Sequence, residues 1–408
     1  MNLSRRGLLT ASTAATAMPL FGARAQKRPS LKIGVLTDLA GPYQDIVGPV
    51  AVDCVRQAVA DFGVSDKGFD VEVVIADHQN KPDVGATITR QWYDRDGVDI
   101  VMEGGSSAVA LAVSAVAKEK NKPYINSGGA TSDLSGTLCN AQTIHWTYDT
   151  YMLGKSTGGA MVKAGGDSWF FITADYAFGH ALTRDVSGFV EAGGGKVLGK
   201  VATPFPATTD FSAYLLQAQA SGAKVIGLAN AGSDTINCIK QAKEFGIKAT
   251  LGGLLVFLSD IHSLGLEVAQ GLVLTESFYW DLNDRTRAFS ERLKSRSPAR
   301  RAGMAQAGCY SSALHYLKAA MAIGPAQLKA LDGAGVIAQL KKMPTDDDVF
   351  GAGSIRADGR KLHPSHLFRV KKPSESKGPW DYYNLVSTTP IDQAFRPIGE
   401  GNCPLVKA

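Results

Sequence analysis

From Leu31 onward, short apolar runs alternate with stretches in which apolar residues return at helical spacing. Lys32-Ile33-Gly34-Val35-Leu36 predicts a strand that ends in the turn-forming segment Thr37 to Pro42. Val50 to Phe62 then repeats with the period of a helix, and Val71 to Ala76 is apolar again. Ile100-Val101-Met102 predicts the next strand, followed by a helix through the Ala/Val-rich stretch to Val116 and a strand at Pro123-Tyr124-Ile125. Strand and helix in alternation imply a parallel sheet.

A second series starts near Gly154. Strands are predicted at Ser168 to Thr173, Lys196 to Val201, Val225 to Ala229 and Leu272 to Glu276, with helices at Gly179 to Ala192, Phe211 to Ser221 and Thr235 to Phe245. Two doubly wound α/β lobes follow. Ligands of such sheets sit outside the carboxyl ends of the strands, which directs attention to the loops after Leu36, Met102, Ile125, Thr173 and Ala229. Toward the C-terminus, helices are predicted at Arg285 to Ser295 and Ala305 to Ala322, a turn at Gly353 to Gly359, one more strand at His366 to Val370, and a loop at Pro373 to Trp380. The final 28 residues read as irregular.

Composition supports this picture and removes others. With 408 residues, 45% hydrophobic and 20% charged, the chain can bury a large core and exceeds the roughly 250 to 300 residues at which a single core stops growing. The formal charge of +5 is misleading: three of the 43 basic residues stand in the first 25 positions, which hold no acid, leaving 40 against 38. A nearly balanced, interspersed charge is no footprint for nucleic acid.

Those first 25 residues have the parts of an export signal. Arg5 and Arg6 form the positive end, Gly7 to Gly22 is a run of small and apolar residues, and Ala23-Arg24-Ala25 is an A-x-A cleavage site. Paired arginines before Gly7-Leu8-Leu9 resemble a twin-arginine signal, with Leu8 where that pattern usually has Phe; the alternative is an ordinary Sec signal. Either sends the protein to the periplasm. No Cys lies near the cleavage site and no later stretch reaches the ~18 apolar residues of a membrane span.

Enzyme constellations are mostly missing. The chain has no H-E-x-x-H, no phosphate-binding G-x-x-x-x-G-K-[ST] and no C-x-x-C, so no cofactor is expected. The single G-x-S-x-G, Gly154 to Gly158, sits in a helical stretch without the strand that a nucleophile elbow needs, and reads as a chance match. His363 and His366 flank Pro364 with no carboxylate or Cys pair close by, and read as exposed loop histidines with no metal. What the loops supply instead is backbone N–H groups and hydroxyls at predicted helix starts. Gly104-Gly105-Ser106-Ser107 and Ser127-Gly128-Gly129-Ala130-Thr131 can each receive a carboxylate, aided by the helix dipole. The competing reading of each is a capped helix whose serines serve only the backbone.

At these residues the chain resembles the type I periplasmic solute-binding proteins of the leucine/isoleucine/valine type, which feed ABC importers. The resemblance covers nearly all of the chain after the signal. It rests on Ile33 to Leu36 with Gly41-Pro42, on the two glycine- and serine-rich loops, on Asp175-Tyr176-Ala177-Phe178-Gly179, and on Asp210-Phe211. It implies two lobes joined by three crossing segments, near Thr147 to Tyr151, Thr275 to Tyr279 and Ile355 to Pro364, with the solute held in the cleft. The implied lobes are residues 26–148 with 277–360, and 149–276 with 361–408. The resemblance places a solute carboxylate on Ser106 or Ser107, Ser127 and Thr131, with the Gly129 carbonyl open to a donor.

Where amino-acid binders of this type place an acid to pair with the ammonium, this chain has Leu254, which favours a carboxylate lacking that group, although Asp234 can restore the charge from another loop. Phe178 is the expected aromatic residue of the second lobe, while Ala231 or Gly232 leaves more room at another usual aromatic position. Tyr43, Trp146, Tyr148 and Phe178 then form an apolar wall, with Asn230 free for a polar substituent; the alternative is that Trp146 and Tyr148 simply pack at the hinge. The resemblance also implies a disulfide between Cys139 and Cys403, while Cys54, Cys238 and Cys309 are expected as small buried apolar residues.

The expectation is therefore a monomeric, non-catalytic receptor that closes over a small carboxylate or amino-acid-like solute and hands it to an ABC permease. Its rivals are branched-chain amino acid binding proper, an exported serine hydrolase using Ser106, Ser107 or Ser156, and a ligand sensor on the same fold.

Overall fold

The computed structural model of the protein describes residues 28–406, so the expected export signal and cleavage site lie outside the described residues. The first sheet is built from β1 (Ser30–Thr37), β2 (Asp70–Asp77), β3 (Ile100–Glu103), β4 (Tyr124–Asn126) and β5 (Thr143–His145), in the order β2-β1-β3-β4-β5. All its pairings are parallel, with Ile33 opposite Val73 on one side and Ile100 on the other. The crossover helices are α1 (Gly48–Phe62), α2 (Pro82–Asp94) and α3 (Ser107–Lys120). Local chemistry sets their ends: Pro49 stands in the first turn of α1 and Gly63 closes it in the left-handed conformation, while Ser106 opens α3.

After β5 the chain leaves the first sheet through Trp146 to Asp149 and enters α4 (Thr150–Leu153), a π-helical turn at Gly154–Gly158, and α5 (Gly159–Lys163). The second sheet comprises β6 (Ser168–Ala174), β7 (Lys196–Thr203), β8 (Val225–Ala229) and β9 (Thr250–Gly253), ordered β7-β6-β8-β9 and again parallel. Its helices are α6 (Ala177–Ala192), α7 (Ser212–Ala220) and α8 (Ser233–Glu244), followed by the short α9 (Leu258–Leu264) and α10 (Leu266–Ala269). Strand β9 is absent from the sequence reading because Thr-Leu-Gly-Gly holds one large apolar residue, too little for a period to show.

The chain then crosses back. Strand β10 (Val273–Glu276) leads to α11 (Asp284–Leu293), α12 (Met304–Ile323), α13 (Pro325–Ala330) and α14 (Gly333–Lys342). Helices α11 and α12 pack on α1, α13 lies on β1, and α14 touches α3, so this helical block covers the first sheet. Most of α12 is buried all round, including Cys309 and Tyr316, as befits a helix with apolar residues on every face. The hairpin β11 (Ser354–Ile355) and β12 (Lys361–Leu362) carries the third crossing into β13 (Ser365–Val370) and β14 (Tyr383–Thr389). β10, β13 and β14 form an antiparallel sheet whose Leu274, Phe368, Val370 and Tyr383 share a core with Phe170, Ile172 and Phe211 of the second lobe.

Two expectations are corrected. The final 28 residues are not wholly irregular: Tyr383–Thr389 is an edge strand, held by its ladder to β13, and most of its side chains face solvent, so no apolar alternation betrays it. His363 is not exposed. It is fully buried, stacked on Phe350 at 4.6 Å with its ring nitrogens against the carbonyls of Thr147 and Pro364, because the crossing segment runs through the hinge and not over the surface. Cys139 and Cys403 are joined by a disulfide with Cα atoms 5.6 Å apart, and Cys54, Cys238 and Cys309 are free and buried.

Candidate functional site

In both sheets the strand order reverses beside the first strand, which opens a crevice at the carboxyl ends, and the two crevices face each other. On the first-lobe side, β3 ends in Glu103 and the chain turns through Gly104 and Gly105 at φ of +117° and +61°, a path that favours glycine. Ser106 then caps α3, and its Oγ lies 3.5 Å from the amide of Val109. Ser107 Oγ accepts the amides of Ala130 at 3.1 Å and Thr131 at 3.0 Å, and so ties the loop after β4 to the loop after β3. With both lone pairs used by amides, its own proton is free to be donated. No acceptor among the described residues meets the amides of Ser107 and Ala108 in the first turn of α3.

Other groups of these loops are already committed. The Gly104 amide donates to the Leu36 carbonyl at 2.9 Å and to Glu103 Oε2 at 2.8 Å. The Gly129 carbonyl, expected to be open, accepts from Asn126 Nδ2 at 2.6 Å, while Asn126 Oδ1 receives the Gly129 amide at 2.9 Å. Tyr148 donates its hydroxyl to the Gly128 carbonyl at 2.7 Å, which anchors its ring over the loop.

The loop after β1 adds Tyr43 and Ile46. Asp38 accepts the amides of Gly41 at 2.7 Å and Tyr43 at 3.0 Å, which fixes the turn that aims Tyr43 across the cleft. Its hydroxyl meets that of Tyr176 in the second lobe at 2.6 Å, and Phe205 stacks on both rings at 5.4 and 4.6 Å. The second lobe contributes Tyr176 and Phe178 at the start of α6, Ala231 after β8, and Leu255 and Phe257 after β9. Together with Gly105, Ser106, Ser107, Gly128, Ala130 and Tyr148 these residues line a narrow pocket between the lobes, part of it open to solvent. The lining holds no Lys, Arg, His, Asp or Glu. One end is backbone and hydroxyl; the rest is aromatic and aliphatic.

The structure thus brings Tyr43, Ser106, Ser107, Tyr148 and Phe178 together and places the other expected residues behind them. Ser127 is buried and faces Gly308 of α12. Thr131 caps the turn at Ser132–Ser135 and donates to Asp133. Trp146 is fully buried at the hinge, its indole N–H on Ser311 Oγ at 2.9 Å. Asn230 accepts from Thr235 at 2.7 Å, turns its amide toward Cys238, and is fully buried outside the cleft lining. Leu254 is a core residue. Asp234 is buried in the first turn of α8 with Oδ2 unmet by any donor, and burial pushes its carboxyl up to about 7. Among the described residues, no group of three or more His, Cys, Asp or Glu is placed to hold a metal.

Ile46, Leu255 and Phe257 escaped the sequence reading. Leu255 and Phe257 follow the undetected β9, and on that loop the resemblance pointed to Leu254 instead; Ile46 has no signal beyond its nearness to Tyr43. Ser156 lies in the π-helical turn and accepts from Thr275 Oγ1 at 2.8 Å, far in character from a strand-to-helix elbow.

Two doubly wound lobes facing each other across a cleft lined from both sides have the architecture of a clamshell receptor. A family model described as periplasmic binding protein matches residues 30–378, and the chain belongs to that family. It is similar to a periplasmic binding protein from Burkholderia mallei at 49% identity and a TM-score of 0.88, over 93% of this chain and 100% of that one. A branched chain amino acid ABC transporter periplasmic ligand-binding protein from Burkholderia xenovorans matches at 40% identity and a TM-score of 0.81, over 92% and 99%. A solute-binding protein from R. palustris in complex with benzoate shares the fold at 18% identity and a TM-score of 0.78, over 88% and 96%. A comparison with curated proteins found no match. The chain is a periplasmic solute-binding protein of the kind that serves ABC transporters, whose members are binding proteins and not enzymes.

Proposed function

We propose that this receptor captures a small carboxylate with an aromatic or branched apolar body, as a monomer, and delivers it to an ABC permease after its export signal is cleaved near Ala25. The observation that carries the reading is the lining: neutral donors from Ser106, Ser107 and their loop at one end, apolar side chains elsewhere, and no carboxylate to receive an ammonium. An α-amino acid would bury its ammonium unpaired, at a cost of several kcal/mol. The R. palustris benzoate complex supports the same chemistry on the same fold. Closure over the solute proceeds by hinge motion, with Tyr176, Phe178 and Phe257 completing the wall.

The rival reading, a branched-chain amino acid, draws on the name of the B. xenovorans relative and on Asp234, a buried carboxyl with one oxygen unmet, one turn from Ala231. Titration of the purified mature chain with benzoate, 4-methyl-2-oxopentanoate and leucine, read by calorimetry and thermal shift, separates the two. The proposal expects the acids to bind and leucine to bind far more weakly. A solute at 100 times its Kd adds about 2.7 kcal/mol of stability. Tight binding of leucine, lost in Asp234→Asn, overturns the proposal in favour of its rival.

A further inference from the structure

The wall of the anion end is one glycine thick in two places, and buried titratable groups stand behind it. A Cβ on Gly128 would lie 2.0 Å from Glu103 Oε1, and a Cβ on Gly105 would lie 2.2 Å from His78 Nε2 and 3.6 Å from Glu103 Oε2. Glu103 is wholly buried between the two loops and holds a left-handed backbone at φ +83°, unusual for a residue with a side chain. Its Oε2 takes the Gly104 amide and its carbonyl takes the Tyr124 hydroxyl at 2.7 Å, whereas Oε1 meets no donor.

We propose that Glu103 is a positioning residue of the solute site, wedged between the two anion loops, and that a solute carboxylate binds only while Glu103 carries a proton. The inference rests on the carboxylate reading above. An ionised Glu103 would set a second negative charge one residue behind the wall that receives the first, in surroundings that screen little.

The neighbours supply no cation to hold that charge. Asp38 and the Thr37 hydroxyl face Glu103 from the end of β1, His78 from the end of β2, Tyr124 from β4, Tyr148 from beyond β5, and Cys309 from α12. His78 stays neutral, since burial lowers it to about 4, and Asp38 adds repulsion. Burial pushes Glu103 up to about 8, against the opposing pull of the Thr37 hydroxyl and the Gly104 and Gly105 amides. The proton is therefore present at neutral pH and lost in mild alkali.

Benzoate titrations of the mature chain from pH 6 to 9.5 test this. Affinity should be level up to about pH 7.5 and then fall toward tenfold per pH unit. Glu103→Gln, which keeps the acceptor for the Gly104 amide, should lose the alkaline fall, its affinity for benzoate staying level from pH 6 to 9.5. Asp234→Asn should keep it. Calorimetry of the wild type at pH 8.5 in two buffers of different ionisation enthalpy should show uptake of between about half a proton and one per benzoate, which decides the matter even if the variant fails to fold. A level wild-type profile, zero proton uptake, or a fall that persists in Glu103→Gln overturns the inference alone. Failure of benzoate and 4-methyl-2-oxopentanoate to bind at any pH overturns the carboxylate reading with it.

Discussion

The two lobes repeat one topology and use it for opposite chemistry. After β3 and after β8, strands in equivalent places beside the reversal of strand order, the chain turns through glycine into a helix. In the first lobe that turn is Gly104-Gly105-Ser106-Ser107, and Ser107 is locked by two amides, Ala130 and Thr131, from its own lobe. In the second it is Asn230-Ala231-Gly232-Ser233, where Asn230 bonds within its own lobe, Ala231 lines the cleft and Gly232 lies against Tyr43 and Ile46. The loops after β1 and β6 are alike as well, and their tyrosines, Tyr43 and Tyr176, meet hydroxyl to hydroxyl. On the proposed reading, one half is a preorganised anion cradle, and its hydrogen bonds lie within one lobe. The other is an apolar cover, which gains only by closing. Preorganisation lowers the cost of binding the charged end, and the cover sets which body is accepted.

That division can be broken most severely at Ser107. Ser107→Ala removes a donor to the solute and the acceptor of two amides, and should weaken every carboxylate roughly 100-fold, at the upper range for a hydrogen bond to a charge. Calorimetry across short and aryl acids checks it; an effect confined to aryl acids would mean the cradle is misplaced. Phe257→Ala should weaken an aryl acid by roughly 30-fold, from about 2 kcal/mol of lost apolar burial, while barely changing a two-carbon acid. Tyr43→Phe removes one hydrogen bond between the halves and should cost about fivefold for all solutes alike, near 1 kcal/mol, with a more open average shape in solution scattering. The Cys139→Ser, Cys403→Ser pair should leave affinity unchanged and lower stability by roughly 2 to 4 kcal/mol, read by denaturant unfolding. A change in affinity there would show that the C-terminal segment reports to the cleft.

Much of the cradle was legible in the chain because its signals are local. Glycine pairs after a short apolar strand, followed by serines and an Ala/Val helix, describe a turn and a cap through backbone constraints that need no distant partner. The cover was less legible. Leu255 and Phe257 follow a four-residue strand with no period, and Trp146, Leu254 and Asn230 belong to residue types that serve a pocket or a core equally well. Their neighbours decide: Ser311 claims the Trp146 indole, and Thr235 and Cys238 claim Asn230. Glu103 gave no signal at all, since an acid at a strand end is ordinary until Gly105 and Gly128 from two separate loops close over it.

From the order of residues alone came the alternation of strands and helices, hence two parallel sheets, and the polar loops at their carboxyl ends, because period and turn chemistry act over a few neighbours. Which side chains line the cleft, which carboxyls are stripped of water, and how Tyr43 comes to touch Tyr176 were set only when segments more than a hundred residues apart packed together. Burial and hydrogen-bond partnership are properties of that packing, and no stretch of chain carries them by itself.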